Sequence, residues 1–296
     1  MSDITRRSGY VAIVGRPNAG KSTLLNALSG QKISITSRRP QTTRSNVSGI
    51  VTRAAEQFVF LDTPGWQTEH QSALTRAMER SLRNAIATAH AVVWLKDVTA
   101  RVHYDDDLYH HLKGSANLIV ALNKIDEIAN KNQLLTLIAS LDAAYHPRAI
   151  VPVSALNHLQ LDTLLDALAP CLPEQDFLYA EDQVTTANIR ELAGEMVREK
   201  LFRLLGQELP YSTAVEIESY EETPELTRIG AVILVDKPGQ KAIVIGKGGE
   251  KLKAIGSAAR RDIETLTGGK VFLKLWVKVK HAWADDHRTL ARLGLT

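Results

Sequence analysis

Residues 10–30, YVAIVGRPNAGKSTLLNALSG, join an apolar, β-branched run to a glycine-framed loop and then to a helical pattern. The run is short and lacks polar alternation, so it reads as a strand buried on both faces. Burial on both faces requires helices on each side of a largely parallel sheet, and this confines the first part of the chain to an α/β fold. The loop, GRPNAGKS (15–22), matches G-x-x-x-x-G-K-[ST] directly after a strand and at the opening of a helix. Gly15 and Gly20 let the loop turn so that backbone N–H groups point at phosphate oxygens. Arg16, Pro17, Asn18 and Ala19 lie between them, and Thr23 follows in the first helical turn. The start of the helix adds its positive end to the same anion site. Lys21 is expected to reach the β- and γ-phosphates and Ser22 to ligate Mg²⁺.

The strand-helix alternation continues for some 170 residues. FVFLD (58–62), AVVWLKD (91–97), ANLIVALN (116–123) and AIVPVS (149–154) are further apolar runs separated by helical patterns. SNVSGIVTR (45–53) is more polar and belongs nearer a sheet edge. KSTLLNALSG (21–30) should stop at Gly30, a residue suited to the position after a helix. The expectation is an α/β phosphate-loop domain with a doubly wound, mostly parallel sheet over residues 1–172.

Two further motifs fall at strand ends. In NKID (123–126), Asp126 can accept hydrogen bonds from the ring N–H and the exocyclic amine of guanine, whereas adenine would leave its carboxylate unpaired. Lys124 can lie over the base, and Asn123 can tie this loop to the phosphate loop. The Ser154–Ala155 backbone ends the next strand, where Ala155 N–H is placed to donate to the guanine O6. In DTPGW (62–66), Asp62 would hold Mg²⁺ through a water and Gly65 N–H would meet the γ-phosphate. A threonine of the loop SRRPQTTR (37–44), Thr43 or Thr42, would complete the Mg²⁺ shell. Ser22, Thr43 and Asp62 are thus the expected metal residues. The expected ligand is GTP or GDP, and the spacings resemble the translation-factor-like GTPases.

The stretch APCLPEQDFLYAEDQ (169–183), with two prolines and four acids, favours an exposed linker, set at 173–185. NIRELAGEMVREKLFRLLG (188–206) then places Ile189, Leu192, Met196, Val197, Leu201, Leu204 and Leu205 on one helical face, with Asn188 and Glu191 at capping-box spacing. Strands are expected at 212–222, 228–236 and 270–280. Residues 186–296 therefore read as a second, α+β domain. Net charge is only +3, but residues 237–296 hold 13 lysines and arginines against five acids, a surplus of +8 that points to a polyanion.

VIGKGGEKLKAIG (244–256) carries Gly246 and Gly249 at G-x-x-G spacing, with Lys247 and Gly248 between them and Lys251 and Lys253 following. This is the signature of a KH domain, whose loop clamps about four nucleotides. Leu252, Ile255, Ala259, Ile263 and Leu266 share one face of the next helix. Alternation alone would make KAIVIG (241–246) a strand, but the KH resemblance implies a short helix there. In the last strand, Phe272 and Trp276 either stack bases or pack under a helix. His110 and His111 have no partners at metal-ligand spacing, and Asp105, Asp106 and Asp107 suit a helix N-terminus. The single cysteine, Cys171, permits no intramolecular disulfide, which fits a reducing compartment. No apolar run approaches the roughly 20 residues of a membrane span.

A phosphate-loop GTPase domain followed by a type II KH domain resembles the Era family, bacterial GTPases of small-ribosomal-subunit assembly. GQKISITSRRPQTTR (30–44), ELPYSTAVEIE (208–218) and LWVKVKHAWADD (275–286) are similar to that family's segments. The resemblance implies GTP hydrolysis at a slow intrinsic rate, Mg²⁺, and binding to the 3′ end of the small-subunit rRNA. It also implies a cytoplasmic protein, a monomer, with peripheral contact to the inner membrane. The family carries an apolar residue where many GTPases have a water-orienting glutamine; here it is Trp66. Asn18 matches an asparagine that helps hold K⁺ in related GTPases. Lys21, Asn18, Thr43 and Gly65 are then the expected catalytic set. NHLQLDTL (157–164) departs from the glycines usual after VSAL. The rival readings are an RNA chaperone that holds GTP with little hydrolysis, which Trp66 favours, and an ATP-driven remodeller, which Asp126 disfavours.

Overall fold

A computed structural model describes residues 5–37, 39, 42–44, 46–66, 72–100, 106–115, 117–129, 131–206 and 209–295. They form two compact units. The first is Met1–Ser34, Thr43–Thr68 and Glu79–Thr186; the second is Ile35–Thr42, Glu69–Met78 and Ala187–Thr296.

The first unit is built on six strands: β1 (Arg7–Val14), β2 (Val47–Arg53), β3 (Glu56–Asp62), β4 (Ala91–Asp97), β5 (Leu118–Asn123) and β6 (Ala149–Pro152). Their order in the sheet is β2-β3-β1-β4-β5-β6. Every neighbouring pair is parallel except β2 with β3. The helices of this chain segment are α1 (Lys21–Ser29), α2 (Ala73–Thr88), α3 (Asp106–Leu112), α4 (Lys131–Tyr145) and α5 (Leu161–Leu168). The apolar runs have a direct cause in this layering. Val11 and Ile13 join the core formed with Leu24, Leu25, Leu164 and Leu168. Ala12 and Val14, on the other face, join the core with Leu82, Leu108, Leu112 and Leu141. A strand between two cores has no face left for polar residues. Each buried aliphatic side chain contributes roughly 1.5–3 kcal/mol. The polar strand 45–53 is β2, at the sheet edge as its composition indicates. Gly30 ends α1 in the left-handed conformation (φ 67°). Asp106 and Asp107 open α3, while Asp105 lies outside the described residues.

The order places the ends of β1, β3, β5 and β6 at one sheet edge, where nucleotides bind to α/β folds at the point of strand-order reversal. In the stretch 173–185, Gln57 and Tyr179 exchange two hydrogen bonds of 2.9 Å. Ser8 donates to the Asp176 carbonyl, and Ile50 N–H to the Val184 carbonyl at 2.8 Å. Thr185 pairs with Gly49 of β2 as a further, isolated bridge.

The second unit follows the order α6 (Ile189–Leu204), β7 (Thr213–Glu222), β8 (Thr227–Val235), α7 (Pro238–Ile245), α8 (Glu250–Thr267), β9 (Val271–Val279) and α9 (His287–Arg292). The sheet order is β7-β8-β9, with β7/β8 antiparallel and β8/β9 parallel. One face packs on α6 and α8 through Val197, Leu201, Ile233, Ile255, Ala259 and Val277. The other buries Ala214, Val232, Leu234, Trp283 and Leu290 together with Ala73, Leu74 and Met78. Asn188 and Glu191 form the expected capping box of α6. KAIVIG is helical, as α7, with Pro238 in its first turn. One expectation for α6 needs correction: Ile189 and Leu204, placed on its apolar face, lie at its ends and are exposed. The helix also buries Arg198, Glu199 and Lys200.

Candidate nucleotide and nucleic-acid sites

The phosphate loop occupies the turn from β1 to α1. Gly20 has φ 100°, and a Cβ there would lie 2.3 Å from Asn123 Nδ2, so no other residue fits. No side chain caps α1, which leaves its first N–H groups for an anion. Lys21 is buried and donates to the carbonyls of Gly15 (3.1 Å) and Arg16 (3.0 Å). Burial lowers its ammonium to about 8, against the attraction of Asp62. Arg16 and Asn18 are exposed, Pro17 and Thr23 half-buried, and Ala19 is buried. Asn18 takes a left-handed conformation (φ 64°), which asparagine tolerates.

Three hydroxyls converge on Asp62 Oδ2: Ser22 at 2.7 Å, Ser34 at 2.8 Å and Thr43 at 3.2 Å. The Ser22 and Thr43 hydroxyls are 3.0 Å apart. Burial raises the Asp62 carboxyl above its ordinary range, against Lys21 and these hydroxyls. Asp62 Oδ1 is buried with no hydrogen-bond partner. An all-oxygen cluster around an unsatisfied carboxylate oxygen fits a hard divalent cation such as Mg²⁺. Of the two candidate threonines, Thr43 is the one at this cluster; the Thr42 hydroxyl donates to the Arg39 carbonyl. Ser34 was not anticipated, because a serine in a polar loop carries no signal of its own.

The DTPG turn lies against the phosphate loop. A Cβ on Gly65 would come within 2.9 Å of Pro17 N, and Trp66 N–H donates to Gly15 O at 3.1 Å. The Trp66 ring turns into the core with Leu82 and Trp94 and sits 4.6 Å from the His111 ring. It is packed, not directed at the phosphate site, and its Nε1 is buried without a partner. Burial, then Arg83, lowers the His111 imidazole.

Asn123 fastens the base loops to the phosphate loop. Its Nδ2 donates to Ala19 O (2.8 Å), and its Oδ1 accepts from Ala155 N–H (3.0 Å). Ala155 N–H was expected to face guanine O6; it serves the buried Asn123 oxygen, which would otherwise go unpaired. Ser154 Oγ accepts from Asn157 N–H at 3.1 Å. Lys124, with φ 68°, pairs with Asp97, another residue the motif did not reveal. Burial pushes Asp97 up, but Lys124 and Thr99 bring it below its ordinary value. Asp126 is exposed in a short turn, open to a base.

In the second unit, Gly246, Gly248 and Gly249 all have positive φ and form the turn from α7 to α8. At Gly246 a Cβ would meet Lys251 at 2.9 Å. Lys247, Lys251 and Lys253 are exposed around this turn. Beside it runs a groove of about 480 Å³ with Leu252, Leu273 and Leu275 in its lining, together with Lys253, Arg260 and Phe272. Phe272 is 53% exposed. Trp276 packs on the Trp283 cluster, so of the two aromatics considered for stacking only Phe272 stays open. An aliphatic groove flanked by cations suits a single nucleic-acid strand.

Comparison with known proteins follows the same division. Residues 10–124 match the 50S ribosome-binding GTPase family, and residues 208–284 match the KH domain family. The GTPase Era of Chromobacterium violaceum is 48% identical over 295 residues, covering 100% of each chain. That of Neisseria meningitidis serogroup C is 49% identical over 291 residues, covering 98% of this chain and 95% of its own. An Aquifex aeolicus Era variant, solved with GDP and AlF4⁻, superposes with a TM-score of 0.94 at 37% identity, covering 98% of this chain and 99% of its own. An Era solved with MgGDPNP and nucleotides 1506–1542 of 16S ribosomal RNA matches with the same score, identity and coverage. With relatives matched along its full length and both domain families in the same order, this chain belongs to the Era family of GTPases.

Proposed function

We propose that this protein binds and hydrolyses GTP, and that the cycle times its binding to the 3′ end of 16S rRNA during assembly of the small ribosomal subunit. The observation that carries the reading is the convergence of Ser22, Ser34 and Thr43 on a buried carboxylate with one unsatisfied oxygen, beside an uncapped helix start.

Each residue has a task in this reading. Lys21 exchanges the Gly15 and Arg16 carbonyls for β- and γ-phosphate oxygens. Ser22, Thr43 and Asp62 hold Mg²⁺, which when bound neutralises phosphate charge. Asp126 accepts from two guanine N–H groups, and Asn123 keeps its loop against the phosphate loop. The Gly65 N–H meets the γ-phosphate. Trp66 is packed away, so the attacking water is oriented by backbone and solvent, and intrinsic turnover is slow. Asn18 would help hold a K⁺ ion, which would supply further positive charge to the transition state. In the second domain, the glycine turn at 246–249 and Lys247, Lys251 and Lys253 clamp the RNA backbone beside the groove.

The solved relatives carrying GDP and AlF4⁻, or MgGDPNP with 16S rRNA, support this reading. It takes 1–172 as the GTPase domain, 173–185 as the linker and 186–296 as the KH domain. It also brings a cytoplasmic monomer with peripheral inner-membrane contact; among the described residues no helix is long and apolar enough to cross a membrane. The test is GTP turnover in K⁺ and in Na⁺, with and without an RNA copying the 16S 3′ end. Turnover that rises with K⁺ and with RNA is expected. Tight GTP binding without turnover under any condition would replace the enzyme with a GTP-holding RNA chaperone.

A further inference from the structure

Helix α6 carries three consecutive buried charges, Arg198, Glu199 and Lys200, on a helix that otherwise buries Leu192, Met196, Val197 and Leu201. Buried charges are poor stabilisers compared with aliphatic side chains of similar size. Their partners indicate a different use. Glu199 has no exposed surface, and its Oε1 accepts from Thr36 N–H at 3.2 Å and from Arg203 at 2.8 Å. Its Oε2 accepts from Lys200 at 3.0 Å, and Lys200 also pairs with Asp262. Arg198 is gripped by Glu195, Nε to Oε1 at 2.8 Å, and its Nη2 donates to the Thr42 carbonyl. Both ends of the segment 36–42 are therefore held by successive residues of α6, all within the second unit.

Thr42 is joined to Thr43, the threonine at the Asp62 cluster. The Thr42 carbonyl and the Thr43 N–H share one planar peptide group. A guanidinium that fixes the carbonyl fixes the plane from which the Thr43 Cα hangs. Arg198 Nη1 is buried with no hydrogen-bond partner, so this side chain keeps one donor unused.

We infer that Arg198, held by Glu195 while Glu199 holds Thr36 at the other end of the segment, is a positioning residue that sets Thr43 for the γ-phosphate-bound state. This rests on the GTPase reading above. The test compares Arg198→Lys, Arg198→Ala, Thr43→Ala and the double variants in the full chain. The readouts are single-turnover GTP hydrolysis against Mg²⁺ concentration and the affinities for GDP and for a non-hydrolysable GTP analogue. Arg198→Lys keeps a cation beside Glu195 but loses the planar fork. It is expected to lower hydrolysis roughly tenfold and to raise the Mg²⁺ concentration needed for half-maximal rate, within the range of such indirect couplings. GDP affinity, which does not call on Thr43, should stay unchanged and shows that the variant is folded even if Arg198→Ala is not. In the Thr43→Ala background the same change should add nothing. Additive losses, or equal weakening of GDP and analogue binding, would overturn the assignment, as would full activity of Arg198→Lys. Absence of turnover in the unmodified protein would overturn this inference and the function reading together.

Discussion

Lys21 and Asp62 are opposite charges whose burial drives both toward neutrality, and this has a measurable sign. The Lys21 ammonium ordinarily titrates near 10.5 and is lowered here, by burial, to about 8. Unfolding therefore takes up a proton between those values, and this group makes the nucleotide-free protein more stable as pH rises across them. Phosphate oxygens reverse the preference by favouring the charged amine. Nucleotide binding above pH 8 should take up a proton, and affinity should fall as pH climbs through that value. Calorimetry in two buffers of different ionisation enthalpy checks it; equal heats at pH 9 would contradict it. Trp66 gives a second residue-scale prediction. Because its ring fills the core, Trp66→Ala should cost about 3 kcal/mol in urea unfolding. Trp66→Phe should keep turnover within about twofold, whereas a loss on the scale of a removed oxyanion donor, about 100-fold, would give the indole a chemical role. Motif spacing pointed to Lys21 and Ser22 at the start of α1, to Asp62 and Asn123 at strand ends, and to Asp126 in the turn after β5. It was blind to Ser34 and Asp97, which reach the site only through the fold, and it put Thr43 ahead of Thr42 with no signal in the spacing to decide between them.

Among the elements, α6 shows how local rules and tertiary demands divide a helix. The capping box was legible from Asn188 and Glu191, and Asn188→Ala should cost about 1 kcal/mol by thermal or urea unfolding. The buried Arg198–Glu199–Lys200 run was not legible, because hydrophobic periodicity counts charges as outward. Their pairing with Glu195, Asp262, Thr36 and Arg203 is what makes burial tolerable. The segment 241–246 misleads in the opposite way. Its alternation resembles a strand, yet Pro238 and the glycine turn at 246–249 fit it to a helix of only two turns, with Ile243 left exposed. Gly246→Ala should strain this turn through both its φ of 74° and the close approach of Lys251. The expected result is weakened RNA binding with the GTP affinity unchanged, measured by fluorescence anisotropy and nucleotide titration.

For the whole molecule, charge is distributed unevenly: the surplus of +8 over residues 237–296 stands against a net charge of +3 for the chain. RNA binding should therefore weaken steeply with salt. Replacing either Lys251 or Lys253 by alanine should reduce the slope of log affinity against log salt by about 1 or somewhat less for each phosphate no longer neutralised, across RNA sequences alike. The composition shift near residue 169 announced a change of character, but not the hydrogen bonds that residues 173–185 make to β1, β2 and β3. Those bonds have a further consequence. Strand β2 is the outermost of its sheet, and an outermost strand offers unpaired amides and carbonyls to any neighbouring chain. Val184 accepts from Ile50, Thr185 bridges Gly49, and the Thr185 hydroxyl donates to the Ser48 carbonyl. The segment thus acts as a sheath for a sticky border. A protein cleaved after residue 172 would lose that sheath and should self-associate through β2, whereas cleavage after residue 186 should leave the border covered and the fragment dispersed.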